Sequence, residues 1–179
     1  MRHDRSGLRG RLVVAAQWND RFMAEAAAWR DGPCAAQYFD GADHMRDDLL
    51  GAVGPGDVLI YLGHSTPSAW LGFRGIRADH LGHVRAPLAC VIALTCHGTA
   101  PGSTGAGWYA HGKAACVIGP PGEVAINDVL ALSRWLRDAI AQRAVQVAGD
   151  IVTCAPGLAC IGAPDARLGA PSQMRRHEV

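Results

Sequence analysis

Five short apolar runs, at residues 11–17, 35–39, 57–62, 89–95 and 114–119, constrain this chain more than any other feature. They are continuous rather than alternating, rich in β-branched residues and bounded by turn residues, as strands covered on both faces require. A weaker sixth run lies at residues 150–154. Helical spacing fills the gaps: residues 20–30 align Phe22, Ala26 and Trp29, residues 44–52 follow, and residues 126–146 align Leu130, Ser133, Leu136 and Ile140. Strands alternating with helices predict an α/β domain, a three-layer αβα sandwich on a mostly parallel sheet of about six strands.

A chain of 179 residues, 49% of them apolar, supports one core rather than two. A single domain over residues 1–162 is expected, with a mobile polar tail over residues 163–179. Seventeen basic residues against 16 acidic ones leave a charge of +1, so no global field draws in nucleic acid or an anionic membrane. The apolar stretch behind Arg2, Arg5, Arg9 and Arg11 is too short for an export signal. No run approaches the ~18 apolar residues of a membrane span. Cys34, Cys90, Cys96, Cys116, Cys154 and Cys160 are scattered, mostly inside apolar runs, and fit reduced thiols in a cytoplasmic protein.

Two connections break the rhythm. Residues 64–88 carry Pro67, Gly72, Gly75, Gly82 and Pro87 around Trp70 and Phe73, and residues 97–107 are rich in Gly, Pro, Ser and Thr before a short helix expected at residues 108–112. Both leave the C-terminal ends of successive strands, the edge of an open α/β sheet where ligands bind. His64 stands just after one of those strands and Cys96 at the end of the next. An imidazole beside a thiol can take its proton, and the thiolate is the nucleophile that acyl transfer needs. Gly63 and Gly98 would let backbone approach a substrate, and the amides of Ser65 and Cys96 are candidates for holding an oxyanion.

The segment Tyr61-Leu-Gly-His64-Ser65-Thr-Pro-Ser-Ala-Trp70, the strand ending Ala93-Leu-Thr-Cys96 and the stretch from Gly105 to Gly119 together resemble the caspase-like cysteine peptidases, closest to the gingipain and CHAT-domain types. The resemblance covers roughly residues 10–145 and rests on the order and spacing of loose motifs. It implies a caspase-like fold and a cysteine endopeptidase in which His64 and Cys96 form the catalytic dyad and hydrolysis passes through a thioester acyl-enzyme. Peptide or protein would be the substrate, with an activating or regulatory protein as a further partner and no cofactor or metal. Ser65 stands where the family usually has Gly, and Thr95 where it has Ala or Ser. With the short chain, these departures motivate a second expectation, a catalytically silent module that binds or scaffolds within a larger assembly.

Each of these residues also has a plainer reading. Cys96 could be a buried thiol like Cys90 or Cys116, and His64 a turn residue at the sheet edge. Gly63, Trp70 and His97 are candidates for the substrate pocket, with Trp70 equally able to anchor its loop on the sheet. A zinc site built from His80-Leu-Gly-His83, Cys96-His97 and the pair Cys154 and Cys160 is disfavoured, because no compact Cys-x-x-Cys pair is present. A disulfide between Cys154 and Cys160 would need an oxidising compartment. Asp40, Asp43, Glu123 and Asp128 lie near strand ends and could supply a carboxylate for a cationic substrate side chain. Neither Gly-x-Gly-x-x-Gly after the first strand nor Gly-x-x-x-x-Gly-Lys-Ser/Thr occurs, so nothing supports a nucleotide site.

Overall fold

A computed structural model describes residues 10–85 and 87–168. The apolar runs become β1 (Leu12–Ala16), β2 (Gln37–Asp40), β3 (Val58–Leu62), β6 (Cys90–Leu94) and β7 (Cys116–Gly119), all parallel. Two short strands, β4 (Ser65–Thr66) and β5 (Ala69–Trp70), form a separate antiparallel hairpin, and β8 (Ala159–Gly162) closes the main sheet antiparallel to β7. The six-stranded order is β2-β1-β3-β6-β7-β8.

Successive residues of the parallel strands point into two cores, as the period of two dictates. Val14, Ile60, Leu62, Ile92, Leu94 and Ile118 face helices α1 (Asp20–Asp31), α4 (Ile126–Ala141) and α5 (Ala148–Cys154). Val13, Leu59, Tyr61, Val91 and Val117 face α2 (Arg46–Ala52), α3 (Thr104–Ala110) and the long β5–β6 connection. This is the expected three-layer α/β sandwich on a mostly parallel six-stranded sheet. Asn19 caps α1 by accepting from the Arg21 amide at 3.0 Å. A buried relay then joins α1 to α4: Trp29 Nε1 donates to Ser133 Oγ at 2.8 Å, and Ser133 donates to Glu25, whose carboxylate pairs with Arg137 at 2.9 Å.

The C-terminal third departs from expectation. Residues 150–154 are helical, not a strand, because the Asp150 carboxylate accepts the Gln146 and Val147 amides at 2.8 and 3.1 Å and starts α5. The sixth strand instead follows the Pro156-Gly157 turn, at β8. Helix α4 stops at Ala141 rather than running to residue 146. Arg143 takes a left-handed φ of 58°, and the Ala144 amide reaches back to the Ala139 carbonyl, closing the helix as a Schellman-type cap. The start of the expected tail is docked: Leu168 is buried, its amide bonds the Gln146 carbonyl, and Val147 pairs with Arg167. The rest of that tail lies outside the described residues.

Two helix boundaries also shift. The second helix begins at Arg46 rather than residue 44, and α3 begins at Thr104 rather than residue 108 because Ser103 caps it, accepting from the Ala106 amide at 3.1 Å. The connection of residues 64–88 is shaped as expected but better ordered, with the β4–β5 hairpin and a 3₁₀ helix (Ala78–His83) inside it. Trp70, Phe73, Ile76 and Leu81 bury it on the sheet. Among the described residues no helix is long and apolar enough to cross a membrane.

Candidate functional site

Because β1, β3, β6 and β7 are parallel, their C-terminal ends share one edge. The register aligns Ala16 with Leu62 and Leu62 with Leu94, so two residues further on Trp18, His64 and Cys96 fall at equivalent positions on three neighbouring strand exits. The loop after β7 brings Glu123, Val124 and Ala125 to the far side of Cys96. An open cleft of about 590 Å³ lies there, lined by Ser65, Thr66 and Pro67 of the hairpin, by Cys96 and His97, and by Glu123, Val124 and Ala125.

Cys96 is half-buried and lines the cleft. The thiol donates to the Val124 carbonyl at 3.5 Å and receives the Val124 amide at 3.4 Å, so the loop after β7 holds it on both sides. The turn that follows is forced to be tight. His97 adopts a left-handed φ of 54°, uncommon outside glycine, and its amide bonds the Gly122 carbonyl at 2.7 Å. Gly98 and Gly105 are needed for close approach: a Cβ at Gly98 would stand 2.5 Å from the Ala93 carbonyl oxygen, and one at Gly105 1.8 Å from that of Gly98. Thr99 locks the same turn to β7 through the Gly119 carbonyl. Among the described residues the Cys96 amide donates to no acceptor.

His64 is exposed and is held by a different set of groups. Its backbone N–H donates to Gln17 Oε1 at 2.6 Å, and its carbonyl accepts from Leu71 N–H at 2.9 Å and from the Tyr61 hydroxyl at 3.3 Å. The imidazole meets the buried Phe22 ring edge-on, with centroids 5.3 Å apart. Neither ring nitrogen hydrogen-bonds Cys96 Sγ or any other described group. The two strand exits are joined one residue later, where the Ser65 hydroxyl donates to the Cys96 carbonyl. Ser65 therefore ties the hairpin to the cysteine turn with its side chain. Thr104 fastens the other end of the hairpin, its hydroxyl lying 3.1 Å from both the Ser68 and Ile76 carbonyls.

The other sequence-predicted pocket residues divide sharply. His97 lines the cleft. Trp70 does not: it is 1% exposed, stacked on Tyr61 at 4.3 Å and 8°, and serves as the loop's anchor in the second core. Gly63 is also buried away from the cleft, and a Cβ there would stand 2.5 Å from the Tyr61 hydroxyl, so its bareness serves packing rather than substrate approach. Of the four acidic candidates only Glu123 reaches the cleft. Asp40 spends its carboxylate on the Ala42 and Asp43 amides, an Asx-type turn, while Asp128 lies in the first turn of α4.

Among the described residues no group of three or more His, Cys, Asp or Glu side chains is placed to hold a metal ion. His80 is taken up by Arg46, at 3.2 Å, and by the Arg77 amide, at 3.1 Å. Cys154 and Cys160 are both free thiols. Sequence reasoning missed Gln17, Phe22 and Val124, which position the two reactive side chains. Nothing in the local sequence marks them, because each acts from a different strand exit or helix. No family model and no curated protein matches the chain.

Proposed function

We propose that this protein is a cysteine endopeptidase-like hydrolase in which Cys96 attacks a peptide carbonyl and His64 acts as general acid and base. The reading is carried by one observation: His64 and Cys96 occupy equivalent positions on adjacent strand exits, and Cys96 lines an open cleft there. In the acylation step the Cys96 proton passes to His64 and the thiolate adds to the carbonyl carbon. The Cys96 amide, which donates to no acceptor among the described residues, and the Ser65 amide offer donors to the oxyanion. Collapse of the tetrahedral adduct expels the amine, which takes the proton from His64, and leaves a thioester on Cys96. Water activated by His64 then hydrolyses it. This chemistry draws on no metal or cofactor. The substrate class is peptide or protein, a regulatory protein is the expected further partner, and the six free thiols fit a reducing cytoplasm.

A specific observation favours a second reading, a silent caspase-like module used for binding or scaffolding. The Cys96 thiol is engaged by the Val124 backbone, and the His64 ring rests on Phe22 without hydrogen-bonding the sulfur. Alkylation with iodoacetamide, followed by peptide mapping, separates the two. An active dyad labels half-buried Cys96 faster than exposed Cys154, and His64→Ala lowers the Cys96 rate by about tenfold or more. If Cys154 labels first and His64→Ala changes nothing, the module reading replaces the peptidase.

A further inference from the structure

Trp18 is 72% exposed and Leu71 46% exposed, and both flank His64 on the side away from Cys96. Large apolar groups exposed at that edge offer a surface on which an apolar side chain of a bound peptide can be buried. Their place is fixed by the sheet. Trp18 follows Gln17, whose amide extends the ladder to the Leu62 carbonyl at 2.8 Å and whose side chain holds the His64 amide. Leu71 N–H bonds the His64 carbonyl, and the next residue, Gly72, lies so close to Gln17 that a Cβ there would stand 3.2 Å from Gln17 Cα. The chain just after Leu71 thus abuts the residue just before Trp18. The edge therefore reads, strand by strand, Trp18 and Leu71, then His64, then Cys96, then Glu123.

Chemistry gives that row a direction. The carbonyl under attack must sit at Cys96 and the departing nitrogen must reach His64, so the substrate's leaving-group side continues past His64. Neighbouring strands are about 4.8 Å apart and an extended peptide advances about 3.3 Å per residue. β1's exit stands two spacings, about 9.6 Å, from that of Cys96, so about two to three residues beyond the cut reach it.

We propose that Trp18 and Leu71 form a leaving-group-side subsite that selects large apolar side chains at the second and third positions after the scissile bond. This rests on the hydrolase reading above. The test is digestion of a randomised peptide pool with the full chain, reading by mass spectrometry the residues on both sides of each cut, for the wild type, Trp18→Ala, Leu71→Ala and Cys96→Ala. The expected result is an excess of Leu, Met, Phe, Tyr and Trp at the two leaving-side positions that falls by about fivefold or more in the Trp18 and Leu71 variants. Preference on the acyl side, and hydrolysis of a peptidyl aminocoumarin that has no residues beyond the cut, should stay unchanged. An identical leaving-side profile in wild type and variants, or an equal fall on both kinds of substrate, overturns the subsite while leaving the hydrolase intact. Cleavage that is absent from the wild type, or that survives Cys96→Ala, overturns the hydrolase and the subsite with it.

Discussion

Cys90 and Cys96 belong to the same strand segment, one opening β6 and the other two residues past its end, yet their surroundings share almost nothing. Cys90 is wholly buried in the first core, where burial pushes its thiol well above the ordinary range. It is a small hydrophobe. Cys96 emerges where the ladder stops, half-exposed, in the lining of the cleft, and among the described residues its amide donates to no acceptor. The residue type is the same; the end of the strand makes the difference. Inside the ladder both faces are covered by helices or loops. Beyond it the backbone must turn, and the turn leaves the side chain half-exposed and the N–H outside the ladder.

The largest effect should come from replacing the two thiols one at a time. Cys96→Ala is expected to abolish peptide hydrolysis, by about 10³-fold or more in kcat/KM, with an unchanged urea midpoint. Cys90→Ala should do the reverse, keeping kcat/KM and losing about 1–2 kcal/mol of stability through a small cavity. Steady-state kinetics and urea melts on the two variants check this, and indistinguishable behaviour would erase the contrast. Next in size, Trp70→Ala should cost about 3–5 kcal/mol in the same melts, because it removes a fully buried indole stacked on Tyr61. A loss below about 1 kcal/mol would return Trp70 to the cleft and blur the line between core and site. The smallest effect is expected at Thr95, which sits between the two environments. Its hydroxyl is buried with no partner among the described residues, so Thr95→Val should be neutral or stabilising by up to about 1 kcal/mol. A clear destabilisation would mean that the hydroxyl is satisfied in solution.

Much of the architecture was legible before any coordinates. Continuous runs such as 58–62 and 90–94 read as strands buried on both faces, and Phe22, Ala26 and Trp29 as one stripe of a helix, and the structure has them so. Reading failed where a few polar contacts outweighed propensity. Ile151 and Val152 favour a strand, but one carboxylate capturing two amides turned them into α5. At the site, His64 and Cys96 were found because each ends a recognisable strand. Glycine was read as an opening for substrate at both Gly63 and Gly98, yet the structure uses each for close packing against Tyr61 or the Ala93 carbonyl. The same letter serves either purpose, and only the neighbours distinguish them.

The sequence by itself determined the layered α/β class, the parallel strands and the two residues that emerge at neighbouring strand ends, because apolar periodicity and turn chemistry are local. Tertiary structure alone decided which strands are neighbours, that Trp70 is core and Trp18 is not, that Ser65 ties the hairpin to the cysteine turn, and that Val124 cradles the sulfur. The Ser65–Cys96 and Val124–Cys96 contacts join residues 31 and 28 positions apart. No local pattern encodes them; they arise once the sheet order brings four strand exits to one edge.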